Sequence, residues 1–432
     1  MALFDPAALN PGVRPREVMS WAGYDFANSG YTTVVLTAVF SAYFVSVVAN
    51  GADWATPAWT VILAVSNAAV MIAMPIIGAY ADLRARKQWL LRISTVGCVT
   101  ATAALALAGR GDVAIAVCAI VISNFFFQVG VSLIGAFLPE IARPNALGKV
   151  SGWGWSFGYL GGLATLLLCF GYVTWAGGRG QQAEDYVPVT MLITAGIFAL
   201  AALPTLFILK ERAVPQARAS LGVVRDSLSR LASTLKHIRL YRDFTRLLLC
   251  STFYQAGVAV VIALAAIYAQ EVMNFTLRQT MLLVIVVNIT AAIGAFAFGY
   301  VQDALGHKRA LALTLLLWIA MTVVASFATT PGLFWLSANL AGLAMGSSQS
   351  AGRAMVGVFA PTTRLAEFYG LWTLSVQVAA IVGPLTYGAV VYLTGNNHRL
   401  GMMITGSFFV IGLLLIASIK IERGRAAREA DA

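Results

Sequence analysis

The chain has 432 residues, 59% of them hydrophobic and only 11% charged, against about a quarter charged in an ordinary soluble domain. That composition excludes a soluble globular protein and makes lipid the main solvent of the fold. The formal net charge of +11 would suit a nucleic-acid partner, but the basic residues follow a membrane topology, so no nucleic acid is expected.

A bilayer core about 30 Å thick needs about 20 apolar residues per helical span. Twelve such segments are predicted at residues 20–49, 58–81, 88–108, 112–138, 149–174, 187–209, 244–271, 277–303, 308–328, 332–359, 367–394 and 400–421. The expected fold is an all-α membrane protein of two pseudo-repeated six-helix bundles, residues 1–209 and 244–432, with a polar linker at 210–243 and a short tail. The first 19 residues are polar and no small-residue cleavage site follows, so no signal peptide is read. With the N-terminus inside, 24 of the 29 Lys and Arg fall in cytoplasmic segments, four (Arg110, Arg179, Arg278, Arg399) fall outside, and Arg353 lies within a helix. This asymmetry predicts a multi-pass inner-membrane protein with both termini cytoplasmic.

Helix 1 carries Asp25 and Asn28, three apart and therefore on one face. Helix 2 ends in Gly-Ala-Tyr-Ala-Asp-Leu-Arg-Ala-Arg-Lys, with Gly78, Asp82, Arg86 and Lys87. A glycine there lets two helix ends approach, and the carboxylate can face the positive end of a neighbouring helix and hold a gate closed. The basic residues are expected to anchor to lipid phosphate. Asn124 and Gln128 place a polar stripe on helix 4, and Gly154, Gly158 and Gly162 make a smooth ridge for close packing on helix 5. The stretch Gly154-Trp155-Ser156-Phe157-Gly158 matches a nucleophile elbow in form, but that motif needs a strand-to-helix turn and a nearby histidine, and His237, His307 and His398 are all predicted in loops. In the linker, Leu221, Val224, Leu228, Leu231, Leu235 and Ile238 recur at helical steps, which predicts an amphipathic helix on the anionic leaflet.

The second half repeats the first. Ser251 and Gln255 stripe helix 7, and helix 8 ends in Gly-Tyr-Val-Gln-Asp-Ala-Leu-Gly-His-Lys, with Gly299, Asp303, Gly306 and Lys308. Gly78 with Gly299, Asp82 with Asp303, Lys87 with Lys308 and Asn67 with Asn288 share an offset of 221. A second set, Gly135 with Gly357, Phe137 with Phe359, Pro139 with Pro361, Gly148 with Gly370 and Gly161 with Gly383, agrees at 222. Gln349 and Arg353 stripe helix 10. Asp25 and Arg353 are the charges well inside spans, each expected within about two turns of the cytoplasmic end. Asp25 could serve the first turn of its helix while Arg353 snorkels; alternatively the two pair across the molecule when the cytoplasmic side closes. Cys98, Cys118, Cys169 and Cys250 each stand alone and are expected to be small buried hydrophobes. No metal site and no cofactor is expected.

The Gly-Asp-basic loop resembles the signature between helices 2 and 3 of the major facilitator superfamily, with Ala85 where that family usually has Gly and His307 in place of the first basic residue of the second copy. The histidine leads us to expect a weaker or pH-sensitive second gate contact. Residues 20–35, 137–162 and 367–384, with the loop motifs and helix 10, narrow the resemblance to the vacuole effluxers, relatives of a fungal vacuolar amino-acid exporter tied to autophagy. It departs at Gly352-Arg353-Ala354, where the family tends toward Ser-Arg-Ser, and at Gln377, where relatives often carry Lys. The resemblance implies the major facilitator fold, a central cavity lined by helices 1, 4, 7 and 10, and helix 5 at the boundary between halves. Its glycine ridge is then either a sliding surface or static packing. It further implies a secondary transporter, not an enzyme, that moves a small polar metabolite by alternating access, with amino-acid efflux first; no nucleotide-binding signature is present, so ion coupling, with protons as a candidate ion, or facilitated diffusion is the expected driving force. Membrane lipids and one small-molecule substrate are the expected partners, and a monomer the expected state. The rival in the same class is a proton-coupled drug exporter, against which helix 5 lacks the antiporter Gly-Pro pair. A non-transporting receptor would want a soluble sensing domain, and an intramembrane enzyme a convergent nucleophile or metal set.

Overall fold

The computed structural model describes residues 4–215 and 240–430. Among them the chain forms α1 (Pro15–Val48), α2 (Ala55–Arg84), α3 (Lys87–Leu107), α4 (Val113–Ile141), α5 (Leu147–Gly177), α6 (Ala183–Ile208), α7 (Arg242–Glu271), α8 (Leu277–Leu305), α9 (His307–Phe327), α10 (Pro331–Phe359), α11 (Leu365–Leu393), α12 (His398–Ala417) and a short terminal α13 (Ile421–Glu429). Eleven of the first twelve are long and apolar enough to cross a bilayer. The exception is α10, 29 residues long, whose Ser347, Ser348, Gln349, Ser350 and Arg353 lower its apolarity and are all carried on a helix enclosed by its neighbours. The linker helix expected around Leu221 to Ile238 lies outside the described residues.

Helix starts follow capping chemistry. Thr276 opens α8 with a capping box to Gln279, Thr330 accepts from the Leu333 amide at the start of α10, and Asn397 does the same for Leu400 on α12. Pro75, Pro188, Pro204 and Pro384 lie inside helices, where neighbouring helices can meet the freed carbonyls. Beyond Tyr31, α1 passes into π geometry at Thr32–Ala38 and again at Phe44–Val48. Thr37 donates its hydroxyl to the Thr32 carbonyl at 3.0 Å, five residues back, within the first of these turns.

Helices α1 to α6 pack as one bundle and α7 to α12 as the other. The two meet chiefly through α2 against α11 and α5 against α8, pairs exchanged by the internal repeat. The repeat is displaced within the molecule, however. The carbonyls facing Gly78 and Gly299 belong to Ala366 and Gly148, and those facing Gly370 and Gly152 belong to Met74 and Ala295. Along α5 and α11 the structural offset is thus 218, one helical turn from the 222 of the sequence match, so Gly148 corresponds to Ala366 and not to Gly370. Two further expectations are corrected: Cys118 is exposed on the outer surface of α4, and His307 and His398 begin helices instead of lying in loops.

Candidate functional site

At the face that carries both termini, the two signature carboxylates do the same thing. Asp82 accepts the amides of Ala366 and Glu367 at 3.1 and 2.9 Å, in the first turn of α11. Asp303 accepts those of Gly148 and Lys149 at 2.9 and 2.8 Å, in the first turn of α5. Each carboxylate satisfies orphan amides and meets the positive end of a helix dipole in the opposite bundle. A Cβ at Gly299 would stand 2.8 Å from the Gly148 carbonyl, and one at Gly78 would overlap that of Ala366, so both glycines are what lets the ends touch. The second contact is as short as the first and runs through backbone amides, so His307 does not weaken it.

The basic residues depart from the lipid-anchor expectation. Lys87 is fully buried, ion-paired with Glu140 and 5.0 Å from the ring centre of Phe137. Lys308 donates to the carbonyls of Ala417 and Ile419 at 2.7 and 2.9 Å, closing the end of α12. Both charges are consumed within their own bundles, and only Arg86 stays exposed, over Trp89. Gly306 turns α8 into α9 at φ 88°. Glu140 and Glu211 are functional neighbours that sequence reasoning missed. Glu211 accepts the amides of Lys87 and Gln88 at 2.7 and 3.1 Å, capping α3, and burial pushes its carboxyl above the ordinary range.

Asp25 and Arg353 form an ion pair of 2.7 Å between the bundles. Arg353 also donates through Nε to the Ser151 hydroxyl (3.1 Å) and through Nη2 to the Ser151 carbonyl (2.9 Å). Its guanidinium lies between the rings of Trp21 and Trp155, 4.6 and 5.3 Å from their centres. Asp25 sits ten residues after Pro15, the start of α1, about 15 Å along the helix at the standard rise, and Arg353 sits about 9 Å before Phe359, the end of α10, within the expected two turns. Neither residue is a terminal or snorkelling charge. The absence of a side chain at Gly154 makes the site possible, because a Cβ there would stand 2.5 Å from Asp25 Oδ2 and 2.7 Å from Arg353 Nη2. Gly158 and Gly162 continue the ridge against Ser29 and Thr33 of α1, within one bundle. The boundary surface of α5 is instead Gly148 and Gly152.

The other polar stripe residues divide. Asn124 donates to Ser66 and Asn67 of α2 at 3.0 and 3.1 Å, and Gln255 and Gln349 exchange amide hydrogen bonds at 2.9 and 3.2 Å. These are contacts within a bundle. Asn28 is buried with neither amide atom hydrogen-bonded to protein, Ser251 is fully buried, and Gln128 is half-buried. Around the ion pair the indole N–H groups of Trp155 and Trp372 are likewise unpartnered, as is Gln377 Nε2 further along α11. A methyl at Gly352 would overlap the Tyr254 hydroxyl and come within 3.6 Å of the Trp372 ring, so α7 and α11 converge beside Arg353. The aromatic members and Ser151 carry no periodic polar signal and were not found by sequence. The resulting site offers one anion, one cation and several free donors from both bundles. Among the described residues no metal-ligating group of three or more forms.

Two pseudo-repeated bundles closed at one face by carboxylate-to-helix contacts, with a buried ion pair between them, define a transporter of the major facilitator type. Solved structures agree in fold: the proton:xylose symporter XylE, bound to 6-bromo-6-deoxy-D-glucose, superposes with a TM-score of 0.72 at 15% identity, covering 96% of this chain and 98% of that one. The chain belongs to the vacuole effluxer Atg22-like family, whose model matches residues 55–429. It is similar to the uncharacterized MFS-type transporter YxiO of Bacillus subtilis, 26% identical over 93% of this chain and 94% of that protein. It is also similar to autophagy-related protein 22 of Candida glabrata, 26% identical over 46% of this chain and 39% of that one.

Proposed function

We propose that the chain is a secondary active transporter that exports amino acids from the cytoplasm across the inner membrane, using protons as the coupling ion. The observation that carries this reading is the Asp25–Arg353 pair at 2.7 Å between bundles. A zwitterion presents one carboxylate and one ammonium, so it can replace each member of that pair with its own group while the free donors of Asn28, Trp155 and Trp372 hold its polar edges. When rocking separates the bundles, Asp25 loses its cation and becomes able to take a proton. Proton binding and opening then become one event. The Lys and Arg asymmetry supports cytoplasmic termini, so the closed face is the cytoplasmic one.

The test uses purified protein in liposomes with a labelled amino-acid panel, a cationic-dye panel and an imposed pH gradient. The wild type should concentrate at least one amino acid, and Asp25→Asn should lose gradient-driven accumulation while keeping substrate-for-substrate exchange. Movement of dyes alone would favour the drug-exporter reading. If Asp25→Asn concentrates substrate at the wild-type rate and level, the coupling assignment is wrong.

A further inference from the structure

A cavity whose lining shares no residue with the ion-pair site lies at the face that carries the termini. It encloses about 430 Å³ and is lined by Pro144 and Asn145, from the turn between α4 and α5, by Thr362, from the turn between α10 and α11, and by Arg425, Arg428 and Glu429 of α13. That volume lies within the range of small-molecule sites. Its walls come from both bundles: the first two residues belong to one, the other four to the other.

The charge in this cleft is poorly balanced by the protein. Arg425 and Arg428, three apart on α13, are both half-buried. Burial and the neighbouring Arg425 depress the Arg428 guanidinium below its ordinary value, with Glu429 opposing. The other carboxylate near the pair, Glu422, stands 3.6 Å from Arg425 but is itself largely in solvent. Arg423, between them in sequence, is by contrast fully engaged, with two contacts to Asp243 at 2.6 and 2.8 Å. Asp243 also accepts the Lys420 amide at 2.9 Å, and Gly424 seats against Phe359, so α13 is fixed to its bundle. Two forks are therefore held at the cleft by a rigid element; a planar guanidinium fork matches phosphate as it does carboxylate, and two forks together suit an anion with three or more oxygens, such as phosphate.

We propose that this cleft binds a phosphate-bearing anion, and that occupancy holds the termini-bearing face closed. The second half follows from geometry. A ligand touching walls from both bundles loses part of its contacts when rocking parts them, so it binds the closed state more tightly and shifts the population toward it. Two sources share the chemistry: the headgroup of an anionic phospholipid in the adjoining leaflet, and a soluble phosphate compound.

The experiment uses the full chain in nanodiscs, with spin labels on the α2–α3 and α8–α9 turns reporting the closed population. One arm titrates inorganic phosphate into phosphatidylcholine discs, and the other replaces phosphatidylcholine with phosphatidylglycerol at no added phosphate. At least one arm should raise the closed population. Arg425→Gln and Arg428→Gln should each raise the concentration or lipid fraction needed by about tenfold, as loss of one charge-assisted contact predicts. Arg16→Gln and Arg309→Gln, exposed basic positions outside the cleft, should leave it unchanged. A response in the phosphatidylglycerol arm alone assigns a lipid, and one in the phosphate arm alone a soluble ligand. Thermal unfolding in phosphatidylcholine discs guards against misfolded variants: Arg428→Gln should be as stable as wild type or more so, because a repelling charge is gone. No response in either arm, or equal loss in the control variants, overturns the proposal. Neither outcome depends on which substrate crosses the central site.

Discussion

Ala85 ends α2 in the left-handed region, at φ 49° and ψ 54°. A Cβ in that conformation costs roughly 1–2 kcal/mol, and the strain recurs at a turn where the family usually has glycine. Ala85→Gly should therefore raise unfolding stability by about 0.5–1 kcal/mol after the entropy that glycine loses on folding is subtracted. Denaturation in detergent checks the sign, and a loss of stability would mean that the Cβ makes a contact worth more than the strain. Asp25 and Arg353 pose the opposite case, since each is stabilised by the other. Removing one partner of a buried pair strands a charge and costs about 3–5 kcal/mol. Without substrate, Asp25→Asn and Arg353→Gln should each deplete the closed state; bound substrate, whose carboxylate can pair with Arg353, restores it in Asp25→Asn, and the double variant should recover most of it without substrate, because two neutral amides leave nothing uncompensated. Spin-label distances across the termini-bearing face measure the cycle, and additive effects would show that the pair does not act as a unit.

At the scale of elements, helix ends are what join the bundles. Asp82 on the start of α11 and Asp303 on the start of α5 have near-equal distances, so their substitution should have near-equal effects. Asp82→Asn and Asp303→Asn each keep one accepting oxygen but lose the charge facing the dipole, which should cost the closed state about 1 kcal/mol. That is about a fivefold drop in closed over open population. The sites are independent, so the double variant should add. A markedly smaller effect of Asp303→Asn would restore a role for His307 in weakening the second contact. The lysines of the same motif act within their bundles: Lys87 against Glu140 and Lys308 on the end of α12 make each bundle a rigid body, which the carboxylates then fasten to the other.

For the whole molecule, the contacts between bundles described above all involve the halves of helices nearest the termini: Asp25, Asp82, Ser151, Gly152, Ala295, Asp303, Arg353 and Ala366. Alternation must break this set as a group. α5 has two glycine surfaces, and they predict different failures. Gly152→Val places methyl groups on the Ala295 carbonyl of the other bundle, so it should hold the face open with little loss of bundle stability. Gly158→Val instead presses on α1 within its own bundle, so it should lower unfolding stability by about 1–3 kcal/mol without shifting the distance populations. A population shift from Gly158→Val would return the ridge to the sliding-surface role.

The sequence by itself determined the twelve spans, the two halves, the Gly-Asp signature at each helix 2 equivalent and the two deep charges. Each of these is local: hydropathy, spacing or a repeated motif, visible without knowing what stands opposite. The tertiary structure decided everything that depends on an opposite wall. It showed that the repeat slips by one turn along α5 and α11, because helix N-termini and not matching glycines define the contact. It turned Lys87 and Lys308 inward, onto Glu140 and the end of α12. It divided one polar stripe into amides that bond within a bundle, such as Asn124, and those left without partners, such as Asn28. It also added Trp155, Ser151 and Trp372, whose indole and hydroxyl groups follow no polar period and gain a role only because α5 and α11 bring them to Arg353.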